Sequence, residues 1–146
     1  MLVRDVLSLK GSTIYSIDSA EPLQQAVKLM VDHDVGSLVV TQTERMVGML
    51  SFREVLRALN GKAAIADMRV RDVMVADPVC GKPADTIDDL RDLMMRNHMR
   101  YLPVKEGDQL LGIVSFHDVA KAVIKETSME NRLLKRYIES DSAGSS

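Results

Sequence analysis

Residues 12–59 and 76–123 align without a gap at a constant offset of 64, and ten of the 48 positions are identical. Five of those ten lie between Gly48 and Ala58 and their partners. There the chain reads Gly48-Met49-Leu50-Ser51-Phe52-Arg53-Glu54, and later Gly112-Ile113-Val114-Ser115-Phe116-His117-Asp118. Each copy is an apolar run, a serine, an acid three residues on, and then an apolar helical stripe. A unit used twice buries its hydrophobic face against its twin, so the fold must contain a seam between like halves. Identity clustered on one strand-to-helix turn assigns that turn a shared physical role.

The rest of each copy follows the same order. Ile14-Tyr15-Ser16-Ile17 reads as a short strand. Glu21-Pro22 opens a helix, because proline is tolerated at the first helical position. Leu23, Ala26, Val27 and Met30 make its amphipathic stripe, and Gly36 stops it. Ser37-Leu38-Val39-Val40-Thr41 and Met46-Val47-Gly48-Met49-Leu50 are strands, the second apolar throughout and so buried on both faces. Ser51 opens a helix carrying Val55, Leu56 and Leu59, which Asn60-Gly61 closes. In the second copy Val79-Cys80 is the first strand, and Thr86 with Asp89 caps the first helix. Tyr101-Leu102-Pro103-Val104 and Leu110–Val114 are the remaining strands. Pro103 has no N–H to give to a ladder, so its strand is predicted at an edge or with that residue turned from pairing. The predicted architecture is α+β: two β-α-β-β-α repeats packed as a pseudo-twofold pair, plus an extra C-terminal helix.

Two leaders precede the copies. Val3-Arg4-Asp5-Val6-Leu7 resembles Val70-Arg71-Asp72-Val73-Met74 at an offset of 67, so three extra residues separate the first leader from its repeat. Each leader is expected to form a short helix or turn leading into its own repeat. The predicted divisions are 1–61 and 70–125 for the repeats, 62–69 for the linker, 126–139 for a final helix capped by Ser128, and 140–146 for a disordered tail. Leu133, Leu134, Tyr137 and Ile138 give that helix an apolar face, which must cover either its own repeats or a second subunit.

Composition excludes several classes. A net charge of −2 offers no broad attraction to nucleic acid or an anionic membrane. One cysteine, Cys80, allows no intrachain disulfide and suits a reducing compartment. No secretory leader and no apolar run near the ~20 residues of a membrane span is visible, so the expected location is cytoplasmic. Three scattered histidines and one cysteine predict no metal site. No Ser–His–acid order, phosphate loop or dinucleotide glycine pattern occurs, and no glycine follows Ser51 or Ser115 at the spacing of a nucleophile elbow. The chain is therefore not expected to be an enzyme or to require a cofactor.

Two copies of strand–helix–strand–strand–helix, each with Gly-h-h-Ser-h-x-acid at the third strand (h, apolar), resemble a pair of CBS domains, the tandem arrangement called a Bateman module. Leu102-Pro103-Val104 fits the same pattern, and the final helix resembles that of small bacterial stand-alone pairs. The resemblance covers residues 3 to about 125. It implies a binding function: members hold adenosine-containing ligands (AMP, ADP, ATP, S-adenosylmethionine or NAD-type) in clefts between the copies. The motif acid meets the ribose, the hydroxyl and a basic residue meet phosphate, and strands of the other copy sandwich the base. Carried over, Asp118 would hold ribose, with Ser115 and His117 near the phosphate and Ile113 against the base, and Phe116 would belong to the same cleft. Tyr15, Val35, Gly36 and Ser37 would form the facing wall, and Arg100 and Lys10 would reach the anion. The mirrored cleft would use Ser51, Arg53 and Glu54, with Met49, Val79, Met99 and Tyr101 opposite. Glu54 departs from the family's Asp, and its extra methylene spoils a bidentate ribose contact.

A structural reading stands beside this one. Ser-x-x-Glu and Ser-x-x-Asp before an apolar run are also capping boxes, which need no ligand. The expected function is thus a regulatory or energy-sensing module that binds an adenine nucleotide and signals to a partner by conformational change. The alternative is a ligand-independent dimerisation scaffold. The resemblance and the apolar face at 133–138 together predict a homodimer. A seam closed by side chains, with the carboxylate at 118 turned back on its own backbone, would leave only the scaffold reading.

Overall fold

The computed structural model describes residues 1–11, 13–61 and 63–144. The element order is α1 (Val3–Lys10), β1 (Ser16–Asp18), α2 (Leu23–His33), β2 (Ser37–Gln42), β3 (Arg45–Ser51), α3 (Phe52–Leu59), α4 (Val70–Val73), β4 (Val75–Ala76), α5 (Ile87–Arg96), β5 (Tyr101–Glu106), β6 (Gln109–Ser115) and α6 (Phe116–Gly144). One sheet has the order β1-β2-β3-β4, with β1 parallel to β2 and the other pairs antiparallel. The second sheet is the antiparallel pair β5-β6. Register follows the repeat: Ser37 faces Ser51, and Tyr101 faces Ser115, 64 residues later in each case. The pair of like α+β halves and the C-terminal helix expected from the repeat are present, the second half without a full first strand.

Each half has its own core, yet neither core is made by one repeat alone. Val70, from the second leader, packs with Ile17, Leu23, Ala26, Leu38, Val40 and Leu50 of the first repeat. Val3 and Val6, from the first leader, pack with Ile87, Leu90, Met94, Leu102 and Val114 of the second. The leaders therefore cross over, where the sequence placed each against its own repeat. Backbone bonds make the exchange reciprocal. Val3 N–H donates to Asp85 C=O and Val70 N–H to Glu21 C=O, each at 2.9 Å. Arg4 N–H donates to Pro83 C=O and Arg71 N–H to Ser19 C=O, each at 3.0 Å. Val3 and Val70 are fully buried, and withdrawing either side chain from its borrowed core forfeits roughly 1.5–3 kcal/mol.

The halves differ at their first strands, and Pro103 is one reason. In the first repeat Val39 N–H donates to Tyr15 C=O at 2.9 Å and holds β1 beside β2. Pro103 occupies the position 64 residues later and has no N–H for the matching bond. The strand expected at Val79-Cys80 is accordingly reduced to one parallel bridge, Gly81 to Val104. Gly81 N–H still donates to Pro103 C=O at 2.9 Å. The strand that does form in this region, β4, lies at Val75–Ala76 and joins the first repeat's sheet at β3.

α6 is also longer than expected. The helix that starts at the second serine turn runs unbroken to Gly144, because no glycine or proline interrupts residues 116–143. Ser128 lies inside it rather than capping a new helix, and the expected disordered tail is helical to residue 144, with Ser145 and Ser146 outside the described residues. Val119 and Ala122 are buried in the second core. Ile124, Leu133, Leu134, Tyr137 and Ile138 are exposed, so among the described residues nothing covers their apolar face. Among the described residues, no helix is long and apolar enough to cross a membrane, and no three His, Cys, Asp or Glu side chains gather as a metal site would require.

Candidate functional site: the seam between the repeats

The two serine turns meet strands that begin just after a left-handed residue. Asp34, after α2, and His98, after α5, both have φ of 52°. That reversal sends residues 35–37 and 99–101 back toward the turns, where Phe52 N–H donates to Gly36 C=O at 3.1 Å and Phe116 N–H to Arg100 C=O at 2.8 Å. Glycine at 36 is set by a close approach: a Cβ there would stand 1.9 Å from the Tyr101 hydroxyl, which reaches across from the other repeat.

The seam is open. A cavity of about 1570 Å³ lies along it, lined by residues of both halves. Lys10, Tyr15, Val35, Gly36, Ser37, Arg100, Ile113, Ser115, Phe116 and His117 all border it. Ten of the eleven residues assigned to this cleft from the sequence are thus brought together, and Asp118 is the one not on its wall. A second cavity of about 400 Å³ is bordered by Met49, Ser51, Arg53, Glu54, Val79, Met99 and Tyr101, all seven residues assigned to the mirrored cleft. Tyr15 also packs on His33, with ring centroids 4.6 Å apart.

Both motif acids are engaged by their own helix ends. Ser115 N–H donates to Asp118 Oδ2 at 2.8 Å, and Asp118 N–H donates to Ser115 Oγ at 3.1 Å. In the mirrored turn Ser51 N–H donates to Glu54 Oε2 at 2.9 Å, and the Ser51 hydroxyl donates to the same oxygen. Asp118 has a further partner. Lys10 Nζ donates to its Oδ2 at 2.6 Å and to the Ile113 carbonyl at 2.7 Å. Partial burial pushes the Asp118 carboxyl toward a higher pKa, but the bonds from Lys10 and from Ser115 outweigh it and hold the group below the usual carboxylate range. The carboxylate at 118 is therefore turned back on its own backbone and latched from α1, contrary to the free anchor expected there.

Among the described residues the latch exists in one cleft only. The three extra residues of the first copy lengthen α1 to eight residues, against four in α4, and Lys10 sits on the added turn. At the leader offset of 67, Asp77 replaces Lys10, and it borders the second cavity. That cavity shares a wall with the first, made by Arg53, Arg57, His98, Met99, Arg100 and Tyr101. Arg53 Nη1 donates to the His98 carbonyl at 2.8 Å, and the Arg100 guanidinium lies 5.6 Å from the Phe52 ring centroid. Among the described residues none of the three arginines forms an ion pair. Three unneutralised guanidiniums facing one space attract an anion.

Sequence reasoning missed Phe52, Arg57 and His98 as lining residues and placed Arg53 in one cleft only. A signal for Arg57 existed: it lies four residues after Arg53 and so shares its helix face. His98 lay at a helix end with no pattern to mark it, because its place on the wall depends on the left-handed turn.

The chain was compared with known proteins. A family model described as CBS domain matches residues 3–61 and again 70–125. The uncharacterized 17.7 kDa protein in the bps2 3′ region of Acidianus ambivalens is 32% identical over 128 residues, spanning 86% of this chain and 76% of that protein. The crystal structure of the CBS-domain containing protein ATU1752 from Agrobacterium tumefaciens is similar with a TM-score of 0.80 and 29% identity, over 84% of this chain and 98% of that one. The CBS domain pair of protein MJ0100, solved in complex with 5′-methylthioadenosine and S-adenosyl-L-methionine, has the same fold with a TM-score of 0.76 and 17% identity, over 86% of this chain and 98% of that one.

Proposed function

The chain belongs to the CBS-domain family, and from that premise we propose that it is a regulatory module that binds an adenosine-containing ligand at the seam between its repeats. Occupancy would favour one packing of the two halves and so change the surface offered to a partner protein. The observation that carries this reading is the seam cavity of about 1570 Å³, walled by both repeats and faced by three arginines without acidic partners. Small-molecule sites occupy roughly 300–1,000 Å³, so an adenine nucleotide has room. Phe52, Phe116 and Tyr101 offer ring surfaces to a base, and the guanidiniums and His117 suit a phosphate. The MJ0100 pair, of the same fold, is solved with two adenosine derivatives, which supports the ligand class for this chain.

Titration calorimetry with AMP, ADP, ATP, NAD and S-adenosylmethionine tests the proposal. Saturable heat from at least one of them, lost in Arg100→Ala, is expected. No heat from any removes it.

A second reading is a scaffold that pairs with another copy and needs no small molecule. It is favoured by the return of both Glu54 and Asp118 to their own helix ends and by the exposed apolar face of α6. Thermal melting separates the two. A ligand at about 100 times its dissociation constant adds roughly 2.7 kcal/mol to stability, whereas the scaffold melts at one temperature with or without nucleotide.

A further inference from the structure

We infer that Lys10 determines which adenosine ligands this seam accepts, by competing with the ribose for Asp118 and yielding only to a ligand that brings its own anion. The inference rests on the adenosine reading of the same cleft. Lys10 Nζ bonds Asp118 Oδ2 at 2.6 Å and the Ile113 carbonyl at 2.7 Å. These are the two positions at which the motif would meet ribose and base. Lys10 borders the cavity and Asp118 does not, so a ribose hydroxyl would meet Oδ2 only once the ammonium has moved aside.

The consequence depends on the charge of the ligand. With an uncharged nucleoside, the displaced ammonium loses its carboxylate and is left facing a wall that already carries Arg53, Arg57 and Arg100 without acidic partners. A charge-assisted bond is then exchanged for a neutral one, with like charges gathered nearby. With a 5′-phosphate, the same flexible side chain swings along the wall it shares with Ser115 and His117 and exchanges a carboxylate for a phosphate. One ion pair replaces another, and the carboxylate is released to the ribose. Lys10 thus penalises adenosine and its uncharged or cationic derivatives and favours the phosphorylated form. The mirrored cleft has Asp77 at the leader-equivalent position and lacks this selection.

The test is calorimetric titration of adenosine and of AMP into the full chain, into Lys10→Met and into Lys10→Arg. Lys10→Met keeps an apolar stem without the charge, and Lys10→Arg keeps the charge. Lys10→Met is expected to bind adenosine about fivefold more tightly and AMP about fivefold more weakly, while Lys10→Arg keeps the preference of the parent. Lys10 lies on the last turn of α1 with a partly exposed side chain, and cooperative melting of both variants, lowered in Lys10→Met by no more than the loss of this screened pair, verifies the fold. If both ligands bind Lys10→Met with the parent's ratio of affinities, Lys10 is not the selector, although the adenosine reading stands. If neither adenosine nor AMP binds the parent or either variant, this inference fails; the adenosine reading itself fails only if ADP, ATP, NAD and S-adenosylmethionine give no heat either.

Discussion

The Tyr101 hydroxyl of the second repeat lies against the Cα of Gly36 in the first, where a methyl group would come within 1.9 Å of it. Tyr101 borders both seam cavities, and its ring meets Phe52 edge-on with centroids 6.4 Å apart. Gly36 therefore sets how far the partition between the two clefts extends. Gly36→Ala is expected to displace Tyr101 and cost about 1 kcal/mol, since the far end of a side chain can give way. Adding Tyr101→Leu to Gly36→Ala should recover part of that loss. Urea denaturation of the two variants checks it, and equal stability in Gly36→Ala and the parent would contradict the contact.

The motif glycines Gly48 and Gly112 occupy the same place in the two copies but are constrained by different neighbours. A Cβ at Gly48 would meet the Val75 backbone carbonyl at 2.6 Å, and one at Gly112 would meet Leu7 Cδ2 at 2.8 Å. A backbone group in a paired strand cannot yield as a leucine methyl can. Gly48→Ala is expected to cost roughly 2–3 kcal/mol and Gly112→Ala about 1 kcal/mol. The reverse order in denaturant midpoints would show that the β3–β4 pairing is not rigid.

The crossed leaders predict where damage spreads. Val3→Ala, near the N-terminus, removes methyls from the second repeat's core, and Val70→Ala does the same to the first, each at about 2 kcal/mol. Amide exchange should rise in α5, β5 and β6 for Val3→Ala, and in α2, β2 and β3 for Val70→Ala. Faster exchange in β1–β3 on mutating Val3 would overturn the reciprocal packing.

The Lys10–Asp118 pair gives stability a defined pH dependence. Because the Asp118 pKa is depressed in the folded state, the unfolded chain binds the proton more readily. The contribution is fully present above the unfolded value of about 4 and is lost as pH falls through the lower folded value. Both side chains are partly exposed, so solvent screens the pair and limits it to about 1 kcal/mol. Asp118→Asn should be less stable than the parent at pH 7, with the gap closing as the medium becomes strongly acidic. A gap that widened on acidification would mean the pair is unfavourable.

Much of this protein was legible because its information is local. The 64-residue repeat, the stripes at Leu23–Met30 and Ile87–Met94, the Thr86–Asp89 cap and both serine turns depend on neighbours within a few positions, and each formed at its expected place. The lining of both clefts followed from the resemblance to CBS pairs, carried onto the matching positions of each copy. The shortened first strand of the second copy was harder to see. Pro103 was noted as a missing donor, but the bond it would have made lay with a carbonyl more than twenty residues away.

The chain alone thus determined that there are two halves, their α+β order and the turns that face one another. Tertiary structure decided which leader serves which core, how far α6 stands clear of the body, and what the carboxylate at 118 touches. Helical period and capping are written in adjacent residues, whereas the Lys10–Asp118 contact joins positions 108 apart and exists only because three extra residues carry α1 one turn further, to the edge of the other repeat's cleft.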